Sequence, residues 1–223
     1  MTLATQGFAI IPAVLSPTDI KFYLQSLKQI TQNCPKAGIR RLTTKVPAIQ
    51  TLANSALIMN LVKPILGQHA RLVRSIYFDK NPQLNWKVAW HQDIAIAVKK
   101  KVELKGFETW SCKEGIPHVQ APSPILEKML TVRLHLDLAN QHNGALIVSP
   151  KTHLLGRIPA SQAALTAKQQ GEMVCSVKAG DALLFHPLLL HSSKQSLNQN
   201  SRRIIHLEYA AEDLPPPLQW HQL

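Results

Sequence analysis

The sequence has few cysteines, and none of them are paired at a metal-binding or redox spacing. Cys34, Cys112 and Cys175 are the only three, and no CxxC motif occurs. This spacing argues against a zinc knuckle and against a thioredoxin-type dithiol. An odd number of isolated cysteines also offers no disulfide framework, which favours a reducing compartment. We therefore expect a cytoplasmic protein.

Long hydrophobic runs are also missing. No apolar segment approaches the roughly 18 residues that a membrane-spanning helix requires. The first residues lack a basic segment and are interrupted by Gly7 and Pro12, which is atypical of a signal peptide. We expect no association with a membrane.

Aromatic and acidic side chains are scarce. Aromatic residues make up 5% of the chain, and 25 Lys and Arg outnumber 13 Asp and Glu, so the formal net charge is +12. Such a charge attracts anions, whether nucleic acid, acidic lipid or a small molecule with a carboxylate or phosphate. The basic residues are not interleaved with aromatic ones, which disfavours a nucleic-acid partner.

Hydrophobic residues make up 45% of the 223 residues, enough for the core of a single domain. Residues 1–70 form a predicted helical flank, in which Ser16-Pro17-Thr18-Asp19 starts one helix and a second runs near Asn54–Leu66. Residues 71–210 contain short strand patterns separated by turns. The chain is therefore predicted to be α+β and mainly β, with a β-sandwich or small barrel as its core.

Three segments carry more detailed predictions. Leu130–Leu138 alternates strictly, which places Arg133 and His135 on one face of a strand. Asn143-Gly144 is the strongest hairpin signal in the chain. Residues 99–124 contain several Gly and Pro with little periodicity, which predicts a long loop, and long loops in compact domains often act as lids.

His91-Gln92-Asp93 has the pattern of half a metal site. Ligands at positions i and i+2 of a strand point to the same face. One more histidine from elsewhere in the fold would complete a 2-His-1-carboxylate triad, which leaves coordination positions open and is typical of non-haem iron oxygenases. The sequence also contains a competing HxD, His135-Leu136-Asp137.

An arginine favours His191 as the third ligand. An enzyme that uses 2-oxoglutarate needs a basic residue for the distal carboxylate, and Arg binds a carboxylate bidentately. Arg202 follows His191 by eleven residues, whereas Leu197 and Pro217 stand at the same distance from His186 and His206. Because Arg202 and Arg203 are adjacent, only one of them can enter the barrel.

Three stretches resemble the phytanoyl-CoA dioxygenase family. The resemblance covers most of the chain from about residue 70, and its most specific part is the ordered set of HxD, NG hairpin, P-x-T-H segment, distal histidine and arginine. One departure is Lys151, which stands where most members have glycine in a PGSH segment. The stretches are WHQDIAIAV (90–98), LTVRLHLDLANQHNGALIVSPKTHLLG (130–156) and GDALLFHPLLLHSSKQSLNQNSRR (180–203).

The resemblance implies a double-stranded β-helix, a jelly-roll or cupin-like barrel, with flanking helices. It also implies Fe(II) on His91, Asp93 and His191, with 2-oxoglutarate held by Arg202 and Ser193 and with O2 as a further substrate. The implied reaction is hydroxylation of an unactivated C–H bond in a small metabolite, with release of succinate and CO2. The basic residues of the predicted lid, Lys99–Lys101, Lys105, Lys113 and His118, favour an anionic metabolite.

Four further residues are candidates for the pocket. Arg133 is predicted to bind cosubstrate or substrate, and Trp90 to form a wall beside the triad. Lys113 and His118, in the predicted lid, are candidates for substrate contact because loops often carry specificity. Each has a plainer interpretation as a sheet, core or solvated residue.

Other functions stay open at this point. A nucleic-acid demethylase on the same barrel would suit the charge of +12, and a cupin-like metal-binding protein of other chemistry would suit the histidines. A family member that has lost catalysis is disfavoured by the intact triad.

Overall fold

The computed structural model describes residues 3–32 and 38–221, so Cys34 lies outside the described residues. The first part of the chain is mostly helical, as predicted. Its elements are α1 (Leu3–Gln6), β1 (Phe8–Ile11), α2 (Pro17–Gln32), β2 (Gly38–Arg40), α3 (Leu42–Lys45), α4 (Pro47–Asn54) and α5 (Ala56–Leu66).

Helix α2 begins where the sequence predicted. The Ser16 Oγ accepts a hydrogen bond from the Asp19 N–H at 3.1 Å, and the Asp19 carboxylate accepts one from the Ser16 N–H at 2.9 Å. This reciprocal pair satisfies donors that a helix start otherwise leaves free.

The rest of the chain is mainly strands. They are β3 (Arg71–Lys80), β4 (Val88–His91), β5 (Ala95–Ala97), β6 (Glu108–Lys113), β7 (Ile116–Gln120), β8 (Met129–His135), β9 (Leu146–Val148), β10 (Met173–Val174), β11 (Ala182–Phe185), β12 (His191–Ser193) and β13 (Arg202–Ala210). Between them lie α6 (Ser123–Leu126), a 3-10 turn (Thr152–Leu155) and α7 (Ala160–Gln170).

Two antiparallel sheets face each other. The large sheet has the order β1-β11-β8-β13-β3-β2 and the small sheet β10-β9-β12-β4. From β8 to β13 the chain crosses between the two sheets at every step except β9 to β10, which are neighbours in the small sheet. This is the connectivity of a double-stranded β-helix. The fold class predicted from the sequence is therefore confirmed.

Both faces of the large sheet are covered. One face packs on α2 to α5, where Leu134 and Leu207 share a buried cluster with Leu52 and Ile58. The other face turns towards the small sheet, so every residue of β8 is buried. The polar side of the alternating pattern in β8 therefore lies inside the molecule instead of in solvent.

The hairpin predicted at Asn143-Gly144 is wrong, although a turn is present. Gly144 has a φ of 71°, but β8 and β9 lie in different sheets and do not pair. The turn therefore carries the chain across the gap between the sheets. The local sequence predicts the bend, and long-range pairing decides what the bend connects.

The prediction of a long loop at residues 99–124 is also wrong. This segment contains β6 and β7, which join β5 in a third sheet of order β5-β7-β6. Glu114 and Gly115 both have positive φ, 53° and 79°, and form the tight turn between them. Most residues of β6 are exposed, so the segment shows no regular alternation of apolar and polar side chains from which a strand could be predicted. The role of this segment as a lid stays a prediction.

No helix in the described part of the chain is long and apolar enough to cross a membrane.

Candidate metal centre

The structure brings His91, Asp93 and His191 together. His91 ends β4 and His191 begins β12, and the two residues are direct partners across these antiparallel strands. The His91 Nε2 lies 3.7 Å from Asp93 Oδ1, and the His191 Nε2 lies 3.5 Å from Asp93 Oδ2. The three candidate ligand atoms all lie within 4.8 Å of one another.

Backbone contacts set the orientation of both imidazole rings. The Nδ1 of His91 lies 2.8 Å from the carbonyl oxygen of Ala89, and that of His191 lies 2.9 Å from Leu189 O. Because a carbonyl oxygen only accepts, each Nδ1 donates its proton there, and each Nε2 is the ring atom turned towards Asp93. Histidines that ligate metals are commonly fixed in this way.

The protonation states in this group also suit metal ligation. Burial, with a smaller contribution from His91, lowers the pKa of His191 to about 3. Burial alone would raise the pKa of Asp93, but His191 and His91 together hold it well below its usual range. At neutral pH the arrangement therefore offers a neutral imidazole beside an ionised carboxylate, as metal binding requires.

The triad opens into a cavity of about 200 Å³ between the two sheets. Its lining combines apolar walls with cationic and hydroxyl groups. The lining residues are Arg74, Ile76, Phe78, Trp86, Val88, His91, Asp93, Arg133, Leu146, His191, Ser192, Ser193, Arg202 and His206. A larger groove elsewhere on the molecule contains none of these residues.

Arg202 and Arg203 point to opposite faces of β13. Arg202 is only 2% exposed and lines the cavity. Arg203 donates hydrogen bonds from Nε and Nη2 to the Asp137 carboxylate, both at 2.7 Å. The carboxylate of the competing HxD is therefore already bound by an arginine on the outer side of the sheet.

Arg133 and Arg202 lack partners in the cavity. The Nε of each is buried without a hydrogen-bond acceptor among residues 3–32 and 38–221. Burial is the main cause that lowers the pKa of Arg133 to about 10 and that of Arg202 to about 9. Unsatisfied buried donors of this kind are costly, and a bound carboxylate would satisfy them.

The remaining predicted residues have mixed positions. Ser193 lines the cavity. Trp90 does not, because it neighbours His91 on β4 and so faces the other way, packing with Ala163, Ala167 and Leu190. Placing Trp90 in the pocket wall is therefore wrong, and the tryptophan that lines the cavity is Trp86.

Lys113 and His118 do not line the cavity. His118 is only 1% exposed, and its Nδ1 lies 3.0 Å from the carbonyl oxygen of Ile116. Lys113 is half-buried at the end of β6. Burial lowers its pKa, as do Arg74 and Arg40, while Asp93 acts in the opposite sense, so Lys113 lies within electrostatic reach of the triad.

Sequence reasoning missed three inward-facing residues. The His206 Nε2 lies 2.9 Å from Glu208 Oε1, and Arg74 Nη1 lies 3.2 Å from the same oxygen. The period of a strand counted from Arg202 would have found His206 and Glu208. Lys80, which is 0% exposed, is also inward because it is the register partner of Arg202, and that pairing was not readable from the sequence.

A sequence profile of the phytanoyl-CoA dioxygenase (PhyH) family matches residues 3–204. No curated protein sequence matches the chain.

Solved structures share the fold at low sequence identity. The α-ketoglutarate-dependent carbocyclase SnoK from nogalamycin biosynthesis has a TM-score of 0.73 and 17% identity, over 95% of this chain and 82% of that one. HygX from Streptomyces hygroscopicus, with nickel and 2-oxoglutarate bound, has a TM-score of 0.69 and 16% identity, over 99% and 87%. EctD from S. alaskensis has a TM-score of 0.73 and 20% identity, over 99% and 79%.

Proposed function

The chain belongs to the phytanoyl-CoA dioxygenase family, and on that premise we propose that it is an iron(II)- and 2-oxoglutarate-dependent dioxygenase. It hydroxylates a C–H bond of a small anionic molecule and releases succinate and CO2. One observation carries the proposal: the His91, Asp93 and His191 cluster opens into the same cavity as two buried arginines without partners.

His91 Nε2, Asp93 and His191 Nε2 would hold the metal. With three protein ligands on one side, the remaining coordination positions stay available to cosubstrate and dioxygen. Iron(II) bound with 2-oxoglutarate supplies the oxidation of an unactivated C–H bond, a reaction that side chains alone do not perform.

Arg202 would bind the distal carboxylate of 2-oxoglutarate, with the Ser193 hydroxyl beside it. Arg133, which lies with its guanidinium carbon 5.7 Å from the centre of the Phe78 ring, adds a second cation for the cosubstrate. Phe78, Ile76 and Leu146 line the same cavity and exclude water, which strengthens these charge interactions.

The substrate would approach from the side of the third sheet. The side chain of Lys113 has no hydrogen bond or ion pair with any described residue, although it lies near Arg74 and Arg40. An anionic group on the substrate would supply the missing partner. The small cavity and the net charge of +12 support a small anion as the substrate class.

The test is turnover of 2-oxoglutarate by purified protein with iron(II), ascorbate and a panel of small anionic metabolites. Succinate should form, and the product should gain one oxygen atom. Because relatives in fold include a carbocyclase and an epimerase, mass spectrometry of the product must accompany the succinate assay. A product without added oxygen would exclude hydroxylation.

His91→Ala should abolish succinate formation, whereas His69→Ala is a matched control on an exposed histidine. If the wild type binds neither iron(II) nor 2-oxoglutarate, and behaves like the His91 variant, the proposal fails.

A further inference from the structure

A second group of charged side chains lies at the end of the cavity away from Arg202. Arg74 is the register partner of Glu208 on the paired strands β3 and β13, whereas Arg202 is the partner of Lys80. The two arginines therefore stand at opposite ends of this strand pair. Both nevertheless line the cavity into which the triad opens, so each end of the cavity has its own arginine.

Contacts to a single nitrogen hold Arg74 beside the candidate metal centre. Its Nη1 donates to the carbonyl oxygen of Ala95 at 3.1 Å, and Ala95 follows Asp93 by two residues. The same Nη1 lies 3.2 Å from Glu208 Oε1. The Nε of Arg74 is buried without a hydrogen-bond partner among the described residues. The guanidinium group is thus fixed in position while it retains donors for a ligand.

The carboxylates at this end of the cavity are each shared between two basic side chains. Besides its contact with the arginine of β3, Glu208 Oε1 lies 2.9 Å from His206 Nε2. The Glu114 carboxylate lies 3.6 Å from Arg40 Nη1 and 3.8 Å from Lys45 Nζ. Glu208 and Glu114 therefore have no capacity left to neutralise a further cation.

Lys113 is that further cation. It stands next to Glu114 at the end of β6 and is half-buried, but its side chain makes no ion pair or hydrogen bond with any described residue. Burial lowers its pKa, and Arg74 and Arg40 lower it further. The buried His118 is affected by the same three cations: burial is the main cause that lowers its pKa, and their charges add to it. Two strands of the third sheet thus face one positive field.

We propose that Arg74 and Lys113 bind an oxyanion of the substrate, a carboxylate or a phosphate group, and thereby determine which molecules are oxidised. Glu208 is a positioning residue, because it holds Arg74 in place. The oxidation itself rests on the proposed function, which this inference deepens by naming the residues that select the substrate. Since Arg74 and the triad share a cavity of about 200 Å³, the C–H bond that reacts lies only a few bonds from the anionic group.

The first test uses metal-free protein, so that neither iron nor turnover enters the result. Acetate and methylphosphonate serve as probes for a carboxylate and a phosphate group, and titrations are followed by carbon-13 and phosphorus-31 NMR at constant ionic strength. The probe that binds more tightly identifies the class of oxyanion. Arg74→Met and Lys113→Met should each weaken its binding by about 10-fold or more, the usual effect of losing a charge-assisted contact.

Two exposed residues provide matched controls. Arg71 lies on β3 like Arg74, and Lys105 lies shortly before β6. Arg71→Met and Lys105→Met each remove one positive charge, as the test variants do, and should leave probe binding unchanged. Because the Lys113 side chain has no partner to lose, Lys113→Met keeps the test available if Arg74→Met does not fold.

Three results would overturn the inference. One is a wild type that shows no saturable binding of either probe. Another is a folded Arg74 or Lys113 variant that binds the preferred probe as tightly as the wild type. The last is binding that is lost in Arg202→Met and retained in Arg74→Met, because the probe would then occupy the cosubstrate end of the cavity.

Turnover gives a second measurement with matched pairs of compounds. With iron(II) and 2-oxoglutarate present, an anionic metabolite should stimulate succinate formation more than its neutral amide or methyl ester, and Lys113→Met should reduce this preference. A preference that is the same in the wild type and the Lys113 variant would contradict the role of Lys113.

The two proposals can fail separately. Probe binding that depends on Arg74, without succinate formation from any compound, would reject the enzyme and keep the anion site. Succinate formation together with probe binding that is independent of Arg74 and Lys113 would keep the enzyme and reject the anion site.

Discussion

His91 and His191 face each other across two paired strands, with ring centroids 4.2 Å apart. Two imidazoles this close, with Asp93 between their Nε2 atoms, form a site that a divalent cation would stabilise. These polar groups therefore occupy a position where the core of a protein without a bound metal would hold apolar side chains.

Metal should accordingly stabilise the protein through His191. Iron(II) or nickel(II) should raise the thermal midpoint of the wild type, because the ion binds only the folded state. His191→Ala should lose this increase, while His69→Ala keeps it. An equal increase in both variants would place the metal elsewhere, and differential scanning fluorimetry measures the difference.

The adjacent arginines should have separable effects. Arg202→Met should weaken 2-oxoglutarate binding by about 10- to 100-fold, because a buried charged contact is lost. Arg203→Met should instead lower the free energy of unfolding by about 1 kcal/mol through loss of the Asp137 pair, with 2-oxoglutarate binding unchanged. Calorimetry and urea unfolding test the two effects, and a weaker 2-oxoglutarate affinity in the Arg203 variant would contradict this division.

Stability should fall with acid through His186. Its ring stacks on His153 at 5.1 Å, and burial, with His153 adding to it, lowers the pKa of His186 from 6.5 to about 4. The unfolded chain binds this proton near pH 6.5 and the folded protein only near pH 4. The free energy of unfolding should therefore drop between these values, by at most about 3 kcal/mol from this group.

His186→Gln should flatten this part of the pH profile of urea unfolding, whereas His69→Gln, at an exposed site, should not. A profile that is identical in the wild type and the His186 variant would show that another group is responsible.

The helical flank should be attached partly through Tyr209. The buried hydroxyl of Tyr209 donates a hydrogen bond to the Ala53 carbonyl at 2.7 Å. This bond joins β13 to α4. Tyr209→Phe leaves that carbonyl without its partner and should cost about 1–2 kcal/mol of unfolding free energy. 2-Oxoglutarate binding should stay unchanged, because Tyr209 faces the helices. A variant as stable as the wild type would mean that water replaces the bond.

The sequence predicted the local parts of the site well. His91 and Asp93 share a face because they are two residues apart on a strand end, and the alternation in β13 requires that only one of Arg202 and Arg203 turns inward. The structure turns Arg202 inward. These features depend only on the spacing of residues within one segment, and that spacing can be counted from the sequence.

Features that depend on pairing between distant strands were missed or mistaken. Lys80 faces the cavity because β3 aligns it with Arg202, and no local pattern encodes that alignment. The bend at Gly144 was predicted, but its strands belong to different sheets. Trp90 was assigned to the pocket by its nearness to His91, although adjacent strand residues face opposite ways.

The large sheet carries its hydrophobic anchor and its reactive groups on opposite sides. Leu134 and Leu207 hold the helices, while Arg133 and His206 line the cavity. The polar cavity residues of β8 and β13 can therefore be replaced without disturbing the face that packs on the helices, so single replacements at alternate positions of these strands can change which ligand the cavity prefers.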